Sequence, residues 1–367
     1  MRCALALALV PVLVGCSSSA PPPPAPEAPT ASPGAGPAPG PDGRRWVAGD
    51  LHLHAAPIDR GDGAAGLPAL VRAATAARLD FVVLTPHLHP STWRDPARRR
   101  RWIAEWRATA AAARAVRGLT VIPGTEYTVH GYGHFGVWGA DLAAVTAADF
   151  LAGARAAGAA VVVNHPFAEP THIPGVRLSD YDLSFRPWTD ARGPVPPLDG
   201  VEAWNLPLAL ANLVARPGGA TGEERALAAA DQLARTRHQP VAIVGGTDSH
   251  RAYTTAATWV LVADVTEQAI VAALRMGATC IGGPEAGDLV ARGDRDPADR
   301  WARIGEQVAA AATVELRWQG RARLFVDGVD VGEHDAGYVD RQAAGTHTYR
   351  LVRGASRCGF VYANLAG

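Results

Sequence analysis

Six of the twelve histidines in this 367-residue chain follow short apolar runs, each close to a carboxylate or a second histidine. The stretches are AGDLHLH (His52, His54), VVLTPHLH (His87), YGHFGVWG (His134), VVVNHPF (His165) and IVGGTDSH (Asp248, His250). An apolar run that ends in a ligand-type side chain reads as a buried parallel strand whose C-terminal tip lines a site. Imidazole and carboxylate together are the donor set for zinc, manganese or iron. The repetition predicts a multinuclear metal site on a barrel-like α/β fold.

Alternation along a strand puts His52 and His54 on one face. Glu126 follows the strand-like LTVIPG and offers two oxygens, enough to bridge two cations. Asp248 and His250 flank Ser249 beyond Gly245 and Gly246, and glycines permit close backbone approach.

From residue 46 onward strand-like and helix-like segments alternate. Strands are predicted at Trp46–Leu53, Asp80–Thr85, Leu119–Pro123, Ala159–Asn164, Gly200–Trp204 and Val241–Val244. Helices are predicted at Leu67–Arg78, Pro96–Val116, Thr146–Ala157 and Glu223–Arg235, with Thr266–Met276 and the strand Ala278–Ile281 finishing the barrel. This order predicts parallel strands joined by right-handed crossovers. A further strand is expected around His134–Gly139. The connection from Ala168 to Leu198 has the length of a lid or a substrate-binding element. Beyond about Pro284 the runs TVELRW, ARLFVDGVDVGEH, HTYRLVR and RCGFVYANL read as short strands, with Asp327-Gly328 as a hairpin signal and a helical link around Pro297–Ala311. His334 and His347 in this part are expected at the surface. The organisation expected is a leader over 1–16, a linker over 17–44, a catalytic barrel over 45–283 and a small β-rich C-terminal module over 284–367.

Formal net charge is zero, 35 basic against 35 acidic residues, so nothing argues for a nucleic-acid partner. The run Arg98–Arg101 reads as a solvated helix face. The N-terminus carries Arg2, the apolar run Ala4–Val14, too short to span a bilayer, and then Gly15-Cys16. That end resembles the bacterial lipoprotein cleavage box, which implies an exported protein held to the cell envelope through lipid on Cys16; the alternative is an ordinary secretory signal. Residues 17–44 are dominated by Pro, Ala and Gly without apolar periodicity, an extended spacer of about 3 Å per residue. Cys280 and Cys358 remain, as a disulfide suited to an oxidising compartment or as two buried thiols.

The ordered set H-x-H, a TDH-like element, G-x-E, G-H, N-H-P and G-x-D-S-H, running from residue 46 to about 283, resembles the polymerase and histidinol phosphatase (PHP) family of metal-dependent phosphoesterases. The resemblance implies an α/β fold, a distorted (β/α)7 barrel with two or three divalent metals at the C-terminal ends of its strands. Carried over motif by motif, it implies that His52, His54, Glu126 and Asp248 hold one metal, Glu126, His134 and His165 a second, and Asp59, His87 and His250 a third. Asp62 is a rival to Asp59, and His89 a lesser alternative to His87. The TDH element reads Thr85-Pro86-His87, so proline stands where the family carries aspartate.

The resemblance implies hydrolysis of a small ester, best a phosphate ester, by hydroxide held between metals, which also neutralise charge on the non-bridging oxygens. His172 is a candidate acid for the leaving group, and Arg60 and Arg251 are candidate phosphate contacts. Glu202 and Asn205 in VEAWN are expected to support the ligands. Because the family also contains carboxylic and carbamic ester hydrolases, those substrates stay open, as does a non-catalytic metal-binding lipoprotein.

Overall fold

The structure, a computed structural model, describes residues 42–168, 183–207 and 222–365, together with 172–173, 176–177 and 209. The expected leader, Cys16 and the spacer up to residue 41 lie outside the described residues.

Strand β1 (Arg45–Leu53) is buried along all but its first residue, as its apolar run predicts. It is followed by a 3-10 turn (Ile58–Asp62), helix α1 (Leu67–Ala76) and strand β2 (Phe81–Leu84). Then come β3 (His87–Leu88), α2 (Pro90–Arg94), α3 (Pro96–Arg114) and the long β4 (Thr120–Val129). Asp95 caps α3 by accepting from the backbone N–H of Ala97 and Arg98, and the helix buries Trp102, Trp106, Ala110 and Ala113 along one stripe. Strand β5 (Gly133–Trp138), α4 (Phe150–Ala156) and β6 (Ala160–Asn164) complete the first half. The long connection holds the short pair β7 (His172–Ile173) and β8 (Val176–Arg177) and the turn α5 (Arg186–Thr189). It leads into β9 (Gly200–Asn205), α6 (Gly222–Arg237), β10 (Ala242–Gly246), β11 (Thr258–Val262), α7 (Glu267–Arg275) and β12 (Thr279–Ile281).

These strands lie in the order β10-β9-β6-β5-β4-β2-β1-β11-β12. As predicted, β1, β2, β4, β6, β9 and β10 point the same way, so their C-terminal ends share one edge. The alternation breaks at β5, which pairs antiparallel with both β4 and β6. Only three residues, His130, Gly131 (φ +70°) and Tyr132, separate the two strands, a hairpin turn with no room for a crossover helix. The sheet curls back on itself. Leu53 and Ser249 form a parallel bridge, and His54 N donates to Ser249 O at 3.0 Å, so the tips of β1 and β10 meet. A side chain at Gly246 would put its Cβ 2.3 Å from His52 Cβ, which is how close β10 comes to β1.

Past residue 284 the chain forms β13 (Val290–Gly293), β14 (Ala302–Arg303), β15 (Gln307–Ala310), β16 (Thr313–Arg317), β17 (Ala322–Val326) and β18 (Val329–His334). It ends in β19 (Gly337–Arg341), β20 (Gly345–Arg353), β21 (Ser356–Cys358) and β22 (Val361–Leu365). The helical link expected over 297–311 is replaced by β14 and β15. Gln307–Ala310 alternates exposed and buried, with Val308 and Ala310 inward and the strand pairing with β22, and that period of two overrides alanine's helix propensity. His334 and His347 are partly exposed at the surface, and each is engaged there. His334 is half-buried against Trp318 and Tyr338, and His347 Nδ1 lies 2.8 Å from Asp327 Oδ2. Strand β12 pairs with β21 so that Cys280 faces Cys358, and a disulfide joins them. Among the described residues no helix is long and apolar enough to cross a membrane.

Candidate metal centre

The common edge of the parallel strands gathers all nine residues expected to hold metal. His52 is the penultimate residue of β1 and His54 lies just past it; Asp59 sits in the 3-10 turn, His87 in β3, Glu126 in β4 and His134 in β5. His165 follows β6 directly, and Asp248 and His250 follow β10. His165 and Asp248 adopt left-handed backbone angles, φ +28° and +51°, strained conformations for residues with side chains and a recurrent mark of functional sites.

Glu126 is the hub. Its carboxylate is buried, and three ring nitrogens converge on Oε1, those of His52 (Nε2), His134 (Nδ1) and His165 (Nε2), each 3.3 Å away. Oε2 faces the other side of the cluster, 3.0 Å from His87 Nδ1 and 3.9 Å from His54 Nε2. Asp248 Oδ1 closes the ring at 3.4 Å from His52 Nε2 and 3.1 Å from His54 Nε2. His250 stacks on His54 with ring centroids 3.9 Å apart. Ligand atoms of His52, His54 and Glu126, of Glu126, His134 and His165, and of His54, His87 and His250 form sets within 4.8 Å of one another. Asp59, Asp62 and His87 form another such set, with Asp62 exposed.

A second layer fixes these rings. Glu202 Oε1 is 3.0 Å from His52 Nδ1, while Oε2 accepts from His165 N at 2.7 Å and from Asn205 Nδ2 at 3.2 Å. Glu202 and Asn205 thus lie where VEAWN suggested. Asp59 Oδ2 stands 2.9 Å from His54 Nδ1, and its carboxylate accepts the backbone N–H of His87. His87 has no aspartate before it, but Thr128 Oγ1 sits 3.0 Å from its Nδ1. Pro86 contributes its carbonyl, which accepts from Glu126 N at 3.0 Å and Thr125 Oγ1 at 2.6 Å. Asn164 donates to Glu126 Oε1 at 2.9 Å and receives Gly136 N at 3.2 Å.

Asp50, quoted in the first motif but given no role there, proves central. It accepts from Thr247 N (3.0 Å), Thr247 Oγ1 (2.6 Å), Thr254 Oγ1 (2.8 Å) and His52 N (3.1 Å). Both ends of the loop that carries Asp248 and His250 are thereby tied to β1. Thr128, Asn164 and the two threonines were likewise unread. Asn164 stands beside His165 in the N-H-P element, which was the available signal for it.

The electrostatics favour a cation. Burial works against charge on Glu126, but the imidazoles of His134 and His52 outweigh it and hold the carboxyl well below its usual range. Asp248 is depressed in the same way by His52 and His54. Burial disfavours charge on His54, yet Asp248 and Asp59 raise it to about 9, and Asp248, Glu202 and Glu126 raise His52 as well. His134 is lowered by burial, whereas His165 is raised against burial by its hydrogen bond to Glu126 and the charge of that carboxylate, with Asp248 and Glu202 adding to it. Burial and the neighbouring His54 lower His250 to about 4, leaving its ring neutral and able to donate a lone pair.

These residues fit metal ions on two counts. Asp59, Glu126, Glu202 and Asp248 bring four carboxylates together, and among the described residues no arginine pairs with any of them. Buried charge requires compensation, and here only imidazoles and an added cation can supply it. In addition, His52 Nε2 and His134 Nδ1 approach carboxylate oxygens to 3.3 Å without hydrogen-bond geometry, and His250 Nδ1 is buried with no partner. Ring nitrogens aimed beside an oxygen share a point with it, as ligands of one ion do.

The remaining expected residues lie at the rim or beyond. Arg60 and Arg251 are exposed, and His89 is half-buried. His172 falls in β7, and its side chain lies outside the described residues.

No family model matches the chain, and no curated protein does. Among solved structures, it is similar to a two-domain protein from Bacteroides vulgatus containing a predicted PHP-like metal-dependent phosphoesterase. The identity is 16%, with 84% of this chain and 91% of that one covered, at a TM-score of 0.42. It is also similar to the lesion-specific endonuclease PfuEndoQ from Pyrococcus furiosus, at 16% identity and a TM-score of 0.36, with 71% of this chain and 64% of that chain covered. At such values neither likeness assigns chemistry to individual residues.

Proposed function

We propose that the protein is a metal-dependent hydrolase of a small phosphate ester. The observation that carries this reading is the convergence of five imidazoles on Glu126 and Asp248, buried carboxylates with no arginine partner among the described residues. His52, His54, Glu126 and Asp248 would hold one divalent ion, Glu126, His134 and His165 a second, and His87 and His250, with Asp59 beside them, a third. Zinc, manganese and iron suit this donor set. Such ions supply an activated water and neutralise charge on the ester's oxygens.

The chain's own residues do the positioning. Glu126 presents one oxygen to each side of the cluster and so would serve two neighbouring cations. Glu202 and Asp59 accept hydrogen bonds from Nδ1–H of His52 and His54, which would leave both Nε2 atoms free for ligation. The partly exposed edge formed by His87, Asp248 and His250 is where substrate enters. Arg60 and Arg251 flank that edge in sequence and are proposed to meet the phosphate oxygens. The lipid anchor on Cys16 and export to the cell envelope belong to the same proposal.

Metal content and turnover test it on protein lacking the first 44 residues. Two or three ions per chain, with hydrolysis of p-nitrophenyl phosphate that disappears on chelation and returns on reloading, are expected. Faster cleavage of an aryl acetate than of the phosphate would transfer the site to carboxylic esters. Failure to bind zinc, manganese or iron would end the hydrolase reading.

A further inference from the structure

His87 differs from His52 and His54 in what stands behind its ring. Glu202 Oε1 lies 3.0 Å from His52 Nδ1 and Asp59 Oδ2 lies 2.9 Å from His54 Nδ1, so each of those imidazoles has a buried carboxylate behind it. An anionic partner on one ring nitrogen raises the basicity of the other and strengthens its hold on a cation. His87 Nδ1 instead makes its hydrogen bond to a hydroxyl, Thr128 Oγ1, at 3.0 Å. Pro86, the residue before it, offers no side-chain acceptor. Glu126 Oε2 is also 3.0 Å from His87 Nδ1, but without hydrogen-bond geometry, and that carboxylate is shared with His52, His134 and His165.

Asp59 does not make up the difference. Its Oδ2 faces His54, and the backbone N–H of His87 donates to its two oxygens at 3.0 and 3.1 Å, so the carboxylate is committed to aligning its neighbours. His250, the other imidazole proposed for this position, keeps Nδ1 buried with no hydrogen-bond partner among the described residues. Exposure points the same way, since the His87 side chain is 20% exposed against 2% or less for His52, His54 and Glu126. Thr128 reaches His87 because β3 pairs in parallel with β4, His87 opposite Glu126, and Thr128 is the next residue of β4 on the same face. Its side chain is buried, and its hydroxyl donates toward Glu126 Oε2 at 3.5 Å. With that proton so directed, Oγ1 accepts from His87 Nδ1–H and leaves Nε2 of the ring for ligation.

We infer that Thr128 is the positioning residue for His87, and that the ion held by His87 and His250 is the loosely bound, exchangeable member of the three. The inference rests on the proposed hydrolase reading and deepens it, because the full complement of the site then depends on the supply of free metal. A hydroxyl selects the ring's nitrogen and fixes its orientation, but it lends the ligand no charge.

Manganese(II) and zinc(II) are the probes, with ions per chain counted after equilibrium dialysis of chelated protein against stepped free concentrations. Uptake is expected in two steps, a pair of ions first and a third at a free concentration about tenfold to a hundredfold higher. Thr128→Val, which keeps the shape and removes the hydroxyl, should move the third step up by about a further tenfold and leave the first in place. Thr128→Ser, which keeps the hydroxyl and loses the methyl, should behave as the parent does, and that separates positioning from packing. Asp59→Asn should weaken the first step by about tenfold, because it removes the charge behind His54. Three ions taken up in one step would overturn the inference, as would a chain that never takes up more than two. It would also fall if Asp59→Asn abolished the third step and left the first unchanged, since Asp59 would then be a ligand of that ion. A third step that Thr128→Val does not move, or that Thr128→Ser does not restore, would remove Thr128 from the role and overturn it too. Two-step uptake without hydrolysis of p-nitrophenyl phosphate would count against the hydrolase reading alone, because dialysis needs no turnover.

Discussion

Glu202 Oε1 lies 3.0 Å from His52 Nδ1, which leaves Nε2 of the same ring facing Glu126 and Asp248. One carboxylate that touches no ion thus decides which nitrogen of a proposed ligand is available. Replacing Glu202 by Gln keeps an acceptor but removes its charge, and metal affinity should fall by about tenfold. Glu202→Ala should approach about a hundredfold, because the ring loses its orientation as well. Competition against a chromophoric chelator checks the order of the two variants, and equal affinities would remove Glu202 from the account.

Asp50 gives a pH dependence whose sign is fixed. Burial pushes its carboxyl up to about 6, against hydrogen bonds from Thr247, Thr254 and His52 N that pull the other way. Its value in the unfolded chain is near 3.8. A folded value above the unfolded one contributes stability that is fully present below 3.8 and is lost as pH rises through about 6. In chelated protein, the melting temperature of the parent relative to Asp50→Asn should therefore be higher at about pH 4.5 than at about pH 7. A gap that widens toward neutral pH would contradict this assignment.

Gly246 is where β10 passes over the site. A Cβ there would come within 2.3 Å of His52 Cβ and 2.9 Å of Glu202 Oε1. Gly246→Ala should cost about 1–3 kcal/mol through strain and should lower metal occupancy in the same protein, because the displaced residues are a ligand and its support. Thermal melting and metal analysis of one preparation check both effects together.

The Cys280–Cys358 bond closes a loop with a sequence separation of 78. On a chain-entropy account its loss should destabilise the fold by about 4 kcal/mol. Both cysteines are fully buried, so reductant should act only slowly on folded protein. Urea unfolding of the Cys280→Ala/Cys358→Ala variant against the oxidised parent measures the difference.

The strand tips were legible because each couples an apolar run to a ligand-type residue within a few positions, as VVVN does with His165. The edge order of the sheet was legible in outline for the same reason, apart from the antiparallel β5 and the unread β11. The supports were harder to read because they act across the sheet. Asn164 reaches Glu126 over 38 positions, and Thr254 reaches Asp50 over 204. Thr128 takes its place beside His87 through the pairing of β3 with β4, which no local pattern announces. Residues 302–310 were misread because alanines favour a helix in isolation, whereas the partner strand β22 that sets their conformation lies far along the chain.

The continuity of the sheet has a bearing on how the molecule comes apart. Strand β12 is flanked by β11 on one side and β21 on the other, and β21 leads through β20 to β17 and β18 without a break. No seam of side-chain contacts alone separates the site-bearing strands from the C-terminal ones at that point. A chain stopped at residue 283 would turn an interior strand into a bare edge of unpaired backbone groups, an invitation to intermolecular pairing. The last eighty or so residues, which contribute none of the proposed ligands, would then act as a built-in guard against aggregation of the part that carries the candidate site.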